Sequence, residues 1–197
     1  PVRMWMRGEW QELLLLDYEM HDEPSFSHPP RVAKLLEESV KAMQDDEVDR
    51  AERLVRQGLE LEPDAPDLLN NLATIYERRK QMKEAEALLR KIVAKNPDYS
   101  FPHINLARIA IRRGDLNEAE AHLKPLLTRK RFNISEFGFF CNAQIEFFKA
   151  KKQMDGARSW LNMWVGIDPN NPLVLEWQAR LDKPSGLARF LRRSSGR

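Results

Sequence analysis

The chain has 197 residues, 42% of them hydrophobic and 31% charged, which is enough apolar content to bury a sizeable core. Its 32 Lys and Arg and 30 Asp and Glu are interspersed and leave a formal charge of +2, excluding a strongly basic nucleic-acid stripe. A single cysteine, Cys141, excludes an internal disulfide, and no apolar run approaches the roughly 20 residues a bilayer-spanning helix needs.

Residues 1–30 stand apart from the rest of the chain. Met4-Trp5-Met6 and Trp10 flank the leucines Leu13 to Leu16, and this run predicts a short helix over Glu9–Met20. Asp22–Pro30, with three prolines and two serines, reads as a linker. Such a helix either caps the first unit of a repeat array, or belongs to an upstream domain or docks on a partner. The chain begins at Pro1 without a methionine and reads as a piece of something longer.

From residue 31 onward the sequence is periodic. Ala51, Ala85, Ala119 and Ala157 lie 34, 34 and 38 residues apart, and Pro63, Pro97 and Pro169 come twelve residues after three of them. An internal period of this size marks a helical unit stacked repeatedly. In the second unit Leu69, Leu72, Ala73 and Tyr76 are spaced i, i+3, i+4, i+7, one stripe of a helix. The equivalent stripes are Leu35, Ser39 and Ala42 in the first unit, His103, Leu106, Ala107 and Ala110 in the third, and Cys141, Ile145 and Phe148 in the fourth. Small residues in these stripes let two helices approach closely, and each proline stops the second helix of its unit.

The start and stop signals agree with that division. Asp46 and Asp115 read as N-caps, Gly114 as the end of the preceding helix, and Pro66 as a first helical residue. Pro125 predicts that its helix ends early, and the four extra residues before the fourth unit predict an extended loop around Leu127–Asn133. Between Pro172 and Pro184 a last helix would lay Leu173, Trp177 and Leu181 against Trp160 and Trp164. The tail from Ser185 carries Arg189, Arg192, Arg193 and Arg197 and reads as a solvated terminus. The expected division is therefore 1–30, a repeat domain over 31–183, and a basic tail over 184–197.

Catalytic constellations are absent from the sequence. His21, His28, His103 and His122 have no metal-ligand spacing, and no Gly-rich phosphate loop, nucleophile elbow or HExxH motif appears. Cys141 sits at an apolar repeat position and reads as a buried structural thiol. No catalytic residue, metal or cofactor is expected.

The pattern resembles the tetratricopeptide repeat family, W-x2-L-G-x2-Y, then A-x3-F, then P, over roughly residues 32–170. The match is closest at Asn71-Leu72-Ala73-Thr74-Ile75-Tyr76, and Arg131 stands where the third proline is expected. The resemblance implies an all-α fold: a right-handed superhelical α-solenoid of four antiparallel helix pairs plus a C-terminal capping helix, whose first helices line a concave groove. Carried over by repeat position, it places Asn70, Asn71, Thr74 and Arg78 of unit two in that groove. It adds Phe101, Ile104, Asn105, Arg108 and Arg112 of unit three and Phe139 and Asn142 of unit four. Leu36, Val40 and Met43 of unit one, and Glu77, Ile111, Glu146 and Lys149, occupy further groove positions.

Amides such as Asn71 and Asn105 both donate to and accept from a peptide backbone. Arg108 and Arg112 share a helix face suited to a carboxylate, beside apolar pockets at Phe101, Ile104 and Phe139. The carboxylate clamp of chaperone-tail-binding members does not appear, because Thr74, Phe139, Ala143, Leu36 and Val40 replace its polar and basic residues. The expected function is a non-catalytic, cytoplasmic interaction scaffold whose partner is another protein or peptide. An alternative is a regulatory or oligomerisation segment of a larger enzyme or transcription factor. RNA binding by a related helical repeat needs a basic concave face, which Glu77 and Glu146 oppose.

Overall fold

Prolines and short polar turns cut the middle of the chain into helices of similar length. The computed structural model describes residues 2–6, 9–13 and 18–181. Its helices are α1 Pro30–Gln44, α2 Val48–Leu61, α3 Pro66–Arg78, α4 Met82–Lys95, α5 Ser100–Arg113, α6 Leu116–Leu123, α7 Ile134–Ala150, α8 Met154–Ile167 and α9 Pro172–Leu181. Pro30, Pro66 and Pro172 each take the first helical position, where a missing N–H costs nothing. Turns of two or three residues fold α1 on α2, α3 on α4, α5 on α6 and α7 on α8 as antiparallel pairs. The expected all-α solenoid of four pairs with a closing helix is what forms.

Each of these turns holds a left-handed residue at the same place. Gly114 has φ 83°, and Asp46, Lys80 and Lys152 have φ of 60°, 62° and 60°. Asp46 is therefore not the N-cap of α2, which is Glu47, because the turn claims Asp46 first. Asp115 does cap α6, accepting from the Glu118 N–H at 3.0 Å.

The core lies between the pairs. Ala42, Ala51, Ala73, Ala85, Ala107, Ala119, Ala143 and Ala157 are all fully buried. One apolar cluster joins units one and two around Val55 and Leu68, a second joins units two and three around Leu89 and Ile92, and the largest joins unit three, unit four and α9. In α9 the buried face is Val174, Trp177 and Leu181, packed with Trp160 and Trp164, while Leu173 is 40% exposed. The expected contact with the two tryptophans holds, but Val174 replaces Leu173, since three to four residues per turn put 174, 177 and 181 on one line.

Unit four departs from the others in an unexpected way. α3, α5 and α7 begin 34 residues apart, at residues 66, 100 and 134, so no extra length separates units three and four. The four extra residues are helical instead and give α7 17 residues against 13 in α3. α6 stops after eight residues, and a 3₁₀ turn over Lys124–Thr128 accommodates Pro125. The predicted loop at Leu127–Asn133 is short and ends in strand β4, Arg131–Asn133.

That strand explains the N-terminal segment. The predicted helix over Glu9–Met20 is not what forms: Val2–Met6 (β1) and Glu9–Leu13 (β2) pair antiparallel, and Glu19–His21 (β3) pairs parallel with β4. The leucines and glutamates of this stretch favour a helix locally, but a helix of about a dozen residues is marginal without a packing partner, and strand pairing overrides the local preference. From β3 the chain runs as a strap along the starts of α7, α5 and α3 before entering α1. Tyr18 meets the rings of Phe132 and Phe137 edge-on at 5.3 and 5.0 Å. The Asn133 side-chain amide donates to the Glu23 carbonyl at 3.0 Å, and Phe26 packs on Tyr99 at 4.9 Å. His28 then donates from Nδ1 to Glu62 at 2.5 Å and from Nε2 to Asp67 at 2.8 Å. The stretch read as a linker is thus a tie across three units, and Ser185–Arg197 lies outside the described residues.

Arg129 secures the far end of the tie. It donates to Glu136 at 2.9 Å and to the Ser100 hydroxyl, and its guanidinium lies 4.9 Å above the Phe132 ring. Glu136 is 1% exposed and closes a capping box with Asn133 at the start of α7. Arg129→Ala therefore strands a buried carboxylate and should lower unfolding stability by about 3–5 kcal/mol, with Glu136→Gln in the same chain recovering part of the loss; urea titrations of the two variants check this.

Both His28 nitrogens face carboxylates, so the bound form is the imidazolium. Burial alone would lower its pKa, but the hydrogen bonds to Asp67 and Glu62 outweigh burial and hold it above the ordinary histidine value. The stability it contributes is complete below the unfolded-state pKa of about 6.5 and is lost as pH rises through the raised folded value. Thermal melts should show His28→Ala well below wild type at about pH 6, and the gap closing by about pH 9.

Candidate functional site

The first helix of each pair, α1, α3, α5 and α7, faces a common concave groove with a volume of about 690 Å³. Nine of the eleven residues predicted from repeat position line it: Asn70, Asn71, Thr74, Arg78, Phe101, Asn105, Arg108, Arg112 and Phe139. Ile104 does not. It is fully buried, because the α5 stripe facing the groove is 101, 105, 108 and 112, and Ile104 stands about 70° off that line toward the core. Asn142 is on the right face of α7 but lies under α9, where it accepts from the Trp177 indole N–H at 2.7 Å. Its carbonyl oxygen is committed to the capping helix, and its N–H₂ donates to Glu146 at 3.5 Å.

Leu36, Val40, Met43 and Glu77 line the groove as read from the repeat, and Gln44, Asp67, Tyr99, Asn133, Ser135, Pro24 and Ser25 join them. Asp67 and Ser135 sit 34 residues either side of Phe101, so register alone identifies them. Pro24 and Ser25 carry no such signal. They reach the groove because the strap forms one of its rims, with a second cavity of about 730 Å³ on the strap's other side.

Polar groups of the groove are largely engaged between successive units. The Asn105 amide donates to the Asn70 carbonyl oxygen at 3.0 Å, and the Asn71 amide reaches the Ser39 hydroxyl at 3.5 Å. Thr74 donates to the Asn70 backbone carbonyl at 3.1 Å. Opposite the strap, three ion pairs step from unit to unit: Arg78 to Asp46 at 2.7 Å, Arg112 to Glu77 at 2.5 Å and Arg108 to Glu146 at 3.4 Å. Every arginine assigned to the groove thus already faces an acid of a neighbouring unit.

The apolar lining is less satisfied. Leu36, Val40 and Met43 form an aliphatic end, and Tyr99, Phe101 and Phe139 an aromatic end with ring centroids 5.7 and 5.6 Å apart. Val40 remains 42% exposed and Phe139 43%. Burial of apolar side chains this large is favourable by about 1.5–3 kcal/mol each when complete, so a ligand that covers them gains a good fraction of that.

Elsewhere the titratable groups are structural. His103 donates from Nε2 to the Pro97 carbonyl at 3.0 Å and meets His122 Nδ1 at 3.3 Å, and burial lowers the pKa of both rings. The Cys141 thiol is fully buried, and burial pushes its pKa up. Among the described residues no group of three or more His, Cys, Asp or Glu is placed to hold a metal ion, and no helix is long and apolar enough to cross a membrane.

A tetratricopeptide repeat profile matches residues 42–104. No curated protein sequence matches the chain significantly. Among solved structures, Pseudomonas aeruginosa pilF is similar at a TM-score of 0.59 and 17% identity, over 77% of this chain and 67% of that one. The O-GlcNAc transferase of Thermobaculum terrenum is similar at a TM-score of 0.54 and 19% identity, over 69% of this chain but 26% of the transferase. At such identities the likeness is one of fold, and the chain spans about a quarter of the transferase's length. Arrays of this kind serve in general as protein–protein interaction scaffolds. The chain thus carries a tetratricopeptide repeat match over residues 42–104, within an array of helix pairs that shares the fold of these structures.

Proposed function

We propose that this chain is a non-catalytic scaffold that holds a segment of a partner protein in the groove between α1, α3, α5 and α7. The observation that carries this reading is the pair of exposed apolar side chains, Val40 and Phe139, set at opposite ends of one concave surface. Isolated apolar residues on a convex face need no explanation, whereas apolar residues converging on a groove favour a ligand. The wall behind them is preformed, since buried apolar clusters join each unit to the next. Little ordering cost then falls on the receptor when a segment binds.

Photo-crosslinking tests the location. A benzophenone side chain introduced at Thr74, in the groove, should trap a partner that the same group at exposed Glu60 on α2 does not. Equal trapping at both sites would move the interaction off the groove.

A further inference from the structure

The groove contains charges, yet they cancel, and this bears on what it selects. Arg78, Arg112 and Arg108 stand opposite Asp46, Glu77 and Glu146, and Asp67 on the strap side stands against the protonated His28. Four cationic groups thus meet four neighbouring carboxylates, with Glu62 alone added behind the strap. Several of these pairs are exposed, and each contributes little to stability. Their relevance is to the field. Opposite charges a few ångströms apart leave almost no potential at the distance from which a charged peptide would be steered. A ligand carboxylate approaching Arg108 or Arg112 also meets Glu146 or Glu77 beside it.

The uncommitted chemistry is apolar and lies at the two ends, Leu36, Val40 and Met43 against Phe101 and Phe139, with amides between them. The Asn105 amide donates to Asn70, which leaves the Asn105 carbonyl oxygen and the Asn70 N–H₂ without a side-chain partner among the described residues, one acceptor and one donor. This is complementary to an uncharged stretch of polypeptide with an apolar side chain at each end.

We infer, resting on the groove as the binding surface, that the occupant is a segment of another protein without net charge, anchored by one aliphatic-contacting and one aromatic-contacting apolar residue. An acidic tail, a phosphorylated segment and a basic peptide are each disfavoured by the same cancellation.

A random dodecapeptide phage library selected on the 197-residue chain, with fluorescence anisotropy on synthetic copies of the enriched peptides, tests this. Enriched peptides should be near neutral with two separated apolar residues. Their affinity should change less than about twofold between about 50 and 500 mM NaCl. Val40→Glu or Phe139→Glu should weaken binding at least about tenfold, with the fold confirmed by an unchanged circular dichroism spectrum. Exchanging the partners of one pair, Arg108→Glu with Glu146→Arg, should leave affinity within about twofold, because the field stays cancelled. Charged peptides that bind salt-sensitively and still depend on Phe139 would overturn the inference while leaving the groove reading intact. Binders indifferent to Val40 and Phe139 would overturn both. Failure to enrich any peptide, or self-association of the chain that Val40→Glu abolishes, would equally overturn it, the latter by making a second copy the occupant.

Discussion

Helices in this protein can stack only where their backbones come close, and alanine is what allows it. Among the described residues nine alanines are fully buried, and side chains this small let neighbouring helices approach closely. Three glycines mark close approaches: a Cβ on Gly156 would collide with the Phe148 ring, one on Gly58 would lie 2.7 Å from a Leu68 methyl, and one on Gly138 would lie 3.2 Å from the Trp164 indole nitrogen. Since each unit buries its apolar face mainly against its neighbours, no unit can be understood alone. Helix spacing, the position of the groove and the reach of the cross-unit ion pairs all depend on this close approach.

A linear array of that kind has a weakness, which is that contacts run only from neighbour to neighbour. The strap adds a contact of another order. It joins residues 110 apart in sequence at Asn133 and Glu23, and it touches units four, three and two before the chain turns into α1. Closing so long a loop costs conformational entropy, though only slowly more as length grows. The aromatic packing of Tyr18 and Phe26 and the two hydrogen bonds of His28 offset that cost at spaced points along the edge. One consequence reaches the site, because the same strap supplies a rim of the groove.

Repeat position and side-chain chemistry play different parts in the groove. Position decides which residues face inward, and it does so through the helical period. Chemistry is then altered by the neighbouring units, since a side chain on one first helix lies beside the next. Asn105, Arg108 and Arg112 look available on their own helix, and each finds a partner 35 to 38 residues away. What faces a ligand is the remainder after those pairings, which is mostly apolar.

The range of each interaction set how far the sequence reached. The alanine–proline ladder, the i, i+3, i+4 stripes and the helix-stopping signals at Gly114 and Pro125 are local, and they sufficed for the helix pairs, the short α6 and most of the groove lining. Some local signals misled by a residue or two, as at Asp46, where a left-handed turn outranked an N-cap, and at Leu173, where Val174 takes the buried line. The sequence by itself therefore determined the repeat fold and which helix face looks inward. Only the tertiary structure decided that residues 19–21 are a strand, because their partner at 131–133 lies on the other side of the array. It likewise decided that the extra residues of unit four lengthen α7, that Asn142 is covered by Trp177, and that the groove arginines are neutralised by neighbouring units. Those outcomes depend on which surfaces meet across repeats, and that information is carried by packing rather than by any local pattern in the chain.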